Sequence, residues 1–193
     1  MGQYYNIAIK DENGVHYNQR KVRGCDYIMS KLMEHSWIGN EFCDAVSGYI
    51  YNHANGVRLL WCGDYAESDE VTEITRGEAS YDKLWYNDKG FVLKRVKSFD
   101  YKNKFLVNHD KKIYLSFDKY IKDSSFTIGK DDDWCIYPVS LLTALGNGRG
   151  GGDFLDGNIG FEHVGSWAWD LIGIIDEVPK GYVMADIVFK ETL

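Results

Sequence analysis

Two stretches of alternating apolar and polar residues predict β-hairpins. Residues 3–9 are rich in Tyr and Ile and run into the polar residues 11–14, which predicts a strand, a tight turn and a return strand at 15–17. Residues 104–109 and 111–117 alternate in the same way around a short polar segment. Antiparallel pairing of neighbouring strands is therefore the expected basis of the fold.

Further strands are predicted from apolar content. Residues 57–62 are apolar on both alternating faces at all but one position, which is typical of a central strand covered on both sides. Residues 167–175 and 182–189 are predicted to form closing strands. Residues 134–145 fit either a strand or a short helix that begins after Pro138, and the pattern does not separate the two.

Helices are predicted where apolar residues recur every three or four positions. Asn40 is a good N-cap for a helix that ends before Asn55. The apolar side of this helix consists of Phe42, Ala45, Val46, Tyr49 and Ile50. A weaker helix is predicted over residues 26–35 and a short one over 79–85. The whole pattern predicts an α+β fold with a mostly antiparallel sheet, two or three helices and a single domain spanning residues 1–193.

Composition agrees with one packed core and narrows the class of protein. Apolar residues make up 45% of the 193 residues and aromatic residues 15%, which is enough to offset the entropy of an ordered chain. There is no run of about 18 apolar residues and no signal-peptide pattern. We therefore expect a cytoplasmic protein without a membrane partner.

Cysteine and histidine spacing argues against disulfides and metals. The chain has four cysteines, Cys25, Cys43, Cys62 and Cys135. They form no CxxC pair, and we expect free, partly buried thiols. The five histidines show no HxxxH or HExxH spacing, so a metal site would have to be assembled from remote segments. We expect no structural zinc and no cofactor.

Charge is distributed unevenly around a net value of −7. Residues 83–122 carry 11 Lys and Arg against four Asp, whereas residues 64–78 carry six acidic residues against one Arg. The basic stretch is interleaved with Phe and Tyr, as in proteins that bind single-stranded nucleic acid. An ordinary strand with inward-facing aromatic residues has the same spacing and is favoured. Nucleic acid is therefore the less favoured partner.

Residues 146–153, GNGRGGGD, place five glycines in seven positions. The segment contains GxGxxG, but no helical pattern follows that would present an N-terminus to a phosphate, so a dinucleotide site is not indicated. Backbone N–H groups together with Arg149 would form an anion-binding nest. A turn or bulge required by the sheet would explain the same composition. Both interpretations remain open.

Several polar residues are candidates for chemistry at strand ends. Asp64 and Asp170 each follow a strand-like segment and an aromatic residue, where carboxylates bind metals or act as bases, although Asx turns are a commoner use. His163, near Trp167, is a candidate base or rim residue, and no nucleophile context completes a triad. We expect the 146–153 loop to lie beside both aspartates. The candidate binding residues are Asp64, Arg149, Asp153, His163, Trp167 and Asp170.

Specific sequence blocks also connect the chain with a known family. They are MGQYY at 1–5, KLMEHSWIGN at 31–40, WCGDYA at 61–66, LVNH at 106–109, LLTALGNGRGGGD at 141–153 and VGSWA at 164–168. In these blocks the chain resembles a family of uncharacterised proteins from bacteria, phages and prophages that begin MGQYY. Where the family has WAGDYA and GSWAGD, this chain has Cys62 and Trp169. The resemblance implies a cytosolic protein and carries no known activity.

Two functional hypotheses follow. The first is a non-enzymatic binding protein, a phage or mobile-element product that inhibits a host defence component through protein–protein contact. Its basis is the abundance of aromatic residues and the lack of a complete catalytic constellation; the acidic residues 64–78 would also imitate nucleic-acid phosphate toward a basic partner. The alternative is a small metal- or nucleotide-dependent hydrolase that uses the 146–153 loop. It would gather Asp64, Arg149, Asp153, His163 and Asp170 around that loop.

Overall fold

A computed structural model describes residues 2–18, 22, 31–86, 90–128 and 131–192. The strands in these ranges are β1 (Tyr5–Asp11), β2 (Gly14–Asn18), β3 (Val57–Gly63), β4 (Phe105–Asn108), β5 (Ile113–Ser116), β6 (Phe126–Ile128), β7 (Asp131–Trp134), β8 (Ala144–Leu145), β9 (Leu171–Ile175) and β10 (Val183–Met184). The α-helices are α1 (Glu41–Tyr51), α2 (Ser68–Ile74), α3 (Tyr81–Tyr86), α4 (Phe117–Ser124) and α5 (Pro138–Leu142), and Phe161–His163 form a 3₁₀ turn.

Eight strands form one mixed sheet that is mostly antiparallel. Their order is β10-β5-β4-β9-β3-β1-β2, and β8 pairs with β3 outside this path. Only the β3–β8 and β5–β10 pairs in this sheet are parallel. The expected fold of helices with a mostly antiparallel sheet is confirmed, and so are both hairpins, β1–β2 and β4–β5. The described residues form five helices, more than the two or three that were predicted.

Strand β3 is central, as its apolar pattern predicted. It pairs with β1, β8 and β9. Leu59 and Trp61 point into the larger hydrophobic cluster, whereas Leu60 and Cys62 point into a smaller cluster on the other face. Because alternate side chains of a strand face opposite sides of a sheet, a strand covered on both sides is apolar throughout.

Helix α1 begins where the sequence predicted. The side-chain oxygen of Asn40 accepts the backbone N–H of Phe42 at 2.9 Å and so caps the helix. Phe42, Val46 and Ile50 are buried in the larger cluster, and Tyr49 packs against it. Burial of an apolar side chain of this size contributes about 1.5–3 kcal/mol, so this face anchors the helix to the sheet.

Other predictions differ from the structure. The acidic stretch 64–78 contains α2, which has Val71 as its buried residue and therefore little apolar periodicity. The closing strand predicted over 167–175 begins at Leu171, because residues 164–169 form turns. The strand predicted over 182–189 shortens to β10. Both predicted strands were too long because apolar residues continue beyond the part of each segment that pairs with a neighbouring strand.

Two further predictions concern residues near gaps in the described ranges. Of the weaker helix predicted over residues 26–35, residues 26–30 lie outside the described part, and residues 32–34 form a turn instead of a helix. The prediction of free thiols is confirmed for Cys43, Cys62 and Cys135, which are buried. Cys25 lies outside the described residues.

The smaller hydrophobic cluster contains a tryptophan in an unusual backbone conformation. Trp169 has φ of +60°, a region that glycine adopts readily and a bulky residue rarely does. Its side chain is 4% exposed, and Nε1 donates to Glu78 at 2.9 Å. Packing and this hydrogen bond therefore hold the residue in place. Cys62 belongs to the same cluster.

Candidate functional site

The 146–153 loop follows β8 and folds around its own carboxylate. Asp153 is buried, and its Oδ2 accepts the backbone N–H groups of Gly148, Arg149 and Gly150 at 2.8, 3.0 and 3.0 Å. Consecutive N–H groups that converge in this way form an anion nest. The donors that the sequence suggested for an external anion are thus used within the chain.

The other oxygen of Asp153 is bonded to the first strand. Tyr5 donates its hydroxyl to Oδ1 at 2.7 Å. Burial, reinforced by the charge of Asp153, raises the pKa of Tyr5 well above its ordinary value, so the hydroxyl keeps the proton that it donates. Asn147 and Phe154 close the base of the loop through two reciprocal hydrogen bonds of 2.8 and 2.9 Å.

Arg149 is directed away from the nest. Its guanidinium forms a fork with the two carboxylate oxygens of Glu70 and also donates to the carbonyl oxygen of Tyr65 at 2.9 Å. The pKa of Glu70 lies below its ordinary value, first because of this hydrogen bond. The loop is therefore fastened to α2 by the side chain that was expected to bind a ligand.

Asp64 and Asp170 lie in different places. Asp64 follows β3 and exchanges hydrogen bonds with the backbone of Tyr4, with Oδ1 accepting the N–H at 3.2 Å. Asp170 precedes β9 instead of following a strand, and it accepts from Asn108 at 2.7 Å and from Lys111. Because Leu171 pairs with Arg58, Asp170 lies near the beginning of β3.

The strand register separates these two carboxylates widely. Asp64 is about five residues further along β3 than the position level with Asp170, which corresponds to about 16 Å at 3.3 Å per residue. The expectation that both aspartates flank the loop is wrong for Asp170, because β9 pairs only with Val57 and Arg58 at the beginning of β3 and does not reach the end of that strand. Asp64 does lie beside the loop, through the neighbouring residue Tyr65 that Arg149 contacts.

The remaining candidates have unequal roles. Trp167 is 1% exposed and belongs to the larger hydrophobic cluster, so its side chain does not reach a ligand. His163 ends the 3₁₀ turn, with Nε2 3.7 Å from a carboxylate oxygen of Glu162. It is partly exposed beside a groove that the sequence did not predict.

This groove, which we call the Ile74 groove, runs between α2 and the 161–168 segment. It consists of two adjoining depressions of about 520 and 430 Å³ that share Ile74 and Leu145. One depression extends to the start of the glycine loop at Gly146 and to Phe161. The other is bordered by charged side chains of α2 and by Arg76, two residues beyond the helix. Ile74 is 36% exposed, which is high for a large apolar side chain in a concave surface.

Three aromatic residues of the basic stretch face the interior. Tyr101 is buried, and Phe91 and Phe99 pack against the larger hydrophobic cluster. Two of the basic side chains form ion pairs, Lys104 with Asp176 at 2.7 Å and Arg95 with Glu41. The favoured interpretation, with aromatic residues facing inward, is confirmed for these residues.

A second polar cluster was missed by the sequence reasoning. Asp11, Glu12 and His53 form, within the described part of the chain, a group whose metal-ligating atoms all lie within 4.8 Å of one another. Burial alone would raise the pKa of Asp11, but hydrogen bonds from Tyr49, Asn13 and His16 hold it well below its usual range. No spacing rule identifies this cluster, because 41 positions separate Glu12 from His53 in the sequence.

We compared the chain with known protein families, curated proteins and solved structures. The chain matches no family model, no curated protein and no solved structure. Among the described residues, every helix is too short or too polar to cross a bilayer.

Proposed function

We propose that the protein acts by binding another protein at the Ile74 groove rather than by catalysis. The observation that carries this proposal is that the groove exposes apolar surface, whereas the polar groups of the loop beside it are already hydrogen-bonded within the chain. An open apolar depression adjoins a glycine loop whose own polar groups are already hydrogen-bonded. Exposed apolar surface in a concave site is typical of a contact with a partner.

The arrangement of candidate catalytic residues supports binding over hydrolysis. A hydrolase built on the loop needs Asp64 and Asp170 within reach of one substrate, and the strand register sets them about 16 Å apart. Asp153 and Arg149 are engaged with the loop backbone and with Glu70. Burial raises the pKa of Cys62 and of Cys135 to about 12, so neither thiol is a ready nucleophile.

The lining of the groove favours a particular partner chemistry. Glu73 and Glu162 border the groove against one arginine, Arg76, and a third glutamate, Glu70, is paired with Arg149. Apolar side chains between them include Leu145 and Phe161. A segment with apolar residues on one side and Lys or Arg on the other complements this surface. We therefore propose a basic amphipathic segment of a host protein as the partner, with inhibition by contact as the outcome.

The test is crosslinking from inside the groove. A photoreactive amino acid at position 74 of the full-length protein, expressed in its host, is expected to capture one protein at high yield. The same amino acid at position 184 is the control, since Met184 is exposed on β10, away from the groove. Equal capture of the same protein from both positions, or capture from neither, would contradict the proposal.

The captured partner then allows a quantitative test. Ile74→Arg is expected to weaken binding of the captured partner at least tenfold, because the change places a charge on the apolar surface of the Ile74 groove. Met184→Arg is expected to leave binding unchanged. A thermal-shift panel of nucleotides with Mg²⁺ distinguishes the alternative, since ligand-dependent stabilisation would favour the hydrolase.

A further inference from the structure

We propose that Asp11, Glu12 and His53 bind one divalent transition-metal ion of the Zn²⁺ type. The cluster lies where the turn between β1 and β2 meets the end of α1. Asp11 is the last residue of β1, Glu12 follows in the turn, and His53 lies two residues after α1. One nitrogen and two carboxylate donors form a set that suits zinc.

The hydrogen bond of one ring nitrogen of His53 determines what the other can do. Nδ1 lies 2.7 Å from the carbonyl oxygen of Tyr49. A carbonyl oxygen has no proton to give, so Nδ1 carries the hydrogen and donates it. In the neutral ring Nε2 then presents a lone pair, and it lies 3.3 Å from Oδ2 of Asp11. Nε2 of His53 and Oδ2 of Asp11 are then two hydrogen-bond acceptors that face each other. A cation between them would turn this repulsive contact into a favourable one.

The distance between these two atoms distinguishes the kinds of cation. A proton would make His53 an imidazolium whose charge-assisted hydrogen bond to a carboxylate is typically about 2.7–2.9 Å. Two ligands that each lie about 2.0–2.1 Å from a tetrahedral zinc are about 3.3–3.4 Å apart. The observed 3.3 Å matches the second case. The lone pair and the carboxylate are thus spaced as two ligands of one metal.

Neighbouring groups hold both ligands in place. Asp11 has a side chain that is 2% exposed, and its Oδ1 accepts from the backbone of Asn13 at 2.7 Å and from His16 Nε2 at 3.0 Å. Tyr49 donates its hydroxyl to Oδ2 at 2.6 Å and stacks its ring 4.2 Å from that of His53. Metal-binding His and carboxylate residues are usually oriented by such hydrogen bonds.

Metal binding at this position would join two parts of the fold. The metal ion would crosslink the turn of the first hairpin to the end of α1. Three protein ligands leave a coordination position for water or for an external group. The proposal departs from the sequence-based expectation of no metal, because the ligands come from segments that only the folded chain brings together.

The experiment is a zinc titration of the full-length protein after treatment with a chelator. Isothermal titration calorimetry is expected to show one Zn²⁺ per chain, and Co²⁺ is expected to give visible absorption bands of a low-coordinate nitrogen–oxygen site. His53→Gln should weaken zinc binding at least tenfold. Glu12→Gln changes an exposed residue and should also weaken binding with the fold unaffected, which covers the possibility that the first variant is unstable.

The matched control is His163→Gln, which removes a surface histidine that lies 3.7 Å from Glu162. This variant is expected to bind zinc like the unmodified protein. Absence of stoichiometric binding would overturn the proposal and leave the cluster as a purely structural set of polar contacts. Undiminished binding by both His53→Gln and Glu12→Gln would overturn it as well, because the metal would then bind elsewhere.

Discussion

Two buried aspartates organise the two polar regions of this protein, and their partners differ in kind. Asp153 is bonded to three backbone N–H groups and one tyrosine hydroxyl. Asp11 accepts hydrogen bonds from one backbone N–H, one tyrosine hydroxyl and the ring of His16, and the ring of His53 lies 3.3 Å from its other oxygen. Backbone N–H groups do not bind metal ions, whereas imidazole nitrogens do. The glycine loop is therefore a structural device, and the cluster around Asp11 has the groups that chemistry requires.

The largest expected effect is that of Asp153→Ala. The change removes the acceptor of three partly buried N–H groups and of the buried Tyr5 hydroxyl, and we expect a loss of about 3 kcal/mol of unfolding free energy, measured in urea. Asp156→Ala, an exposed carboxylate in the same region, serves as the control. Partial recovery of stability in formate would identify the vacated nest, whereas a loss below about 1 kcal/mol would refute its structural role.

Glycine substitutions sharpen the structural interpretation of the loop. A Cβ at position 150 would lie 2.5 Å from Cβ and 3.0 Å from the backbone nitrogen of Gln3. Gly150→Ala is therefore expected to cost about 2–3 kcal/mol through overpacking. At Gly148 the added atom meets nothing within 4 Å, and its φ of +89° predicts a cost of about 1 kcal/mol. Thermal melting that ranks the two variants in the opposite order would break this account.

Removing one hydroxyl from each region compares the two aspartates directly. Tyr5→Phe deletes a hydrogen bond to a charged group in a fully buried setting and is expected to cost about 2 kcal/mol. Tyr49→Phe is expected to cost about 1 kcal/mol, because Tyr49 is partly exposed and Asp11 keeps its other donors. Chemical denaturation of both variants is the measurement. Equal losses would mean that burial does not distinguish the two sites.

The smallest expected effect is on how the free energy of unfolding depends on pH below about pH 5. The folded-state pKa of Glu70 lies below its ordinary value of 4.5, first because Arg149 donates to it. Its contribution is therefore present above pH 4.5 and is lost as the pH falls through the folded-state pKa. The ion pair is partly exposed, so this contribution is below about 1 kcal/mol. Arg149→Ala should make unfolding less pH-dependent between pH 5 and 3, as urea midpoints will show; an unchanged slope would count against it.

Local features were predicted well from the sequence. The first hairpin, the cap at Asn40 and the central strand β3 depend on residues within a few positions of one another, and their pattern is visible in one dimension. Helix α2 was missed because seven residues with Val71 as the buried one carry little periodicity.

The candidate sites were harder to predict because they depend on distant pairings. The carboxylate that fills the nest lies three positions from Gly150, yet nothing in the sequence shows that its side chain folds back. The Ile74 groove needs α2 beside β8, and the cluster at Asp11 needs α1 to end at the first turn. Such juxtapositions follow from the order of strands in the sheet, which local patterns do not specify.

The position of β9 has a consequence for how the chain reaches this structure. This strand is the ninth of ten in sequence, yet it lies between β3 and β4 in the sheet. Before it docks, the β1–β2–β3 unit and the β4–β5 hairpin each have an open apolar edge. Pairings across more than 100 residues make folding slow, and open edges in the interval invite association between chains. The time during which those edges stay open, rather than the final stability, will determine how much of the protein folds at high concentration.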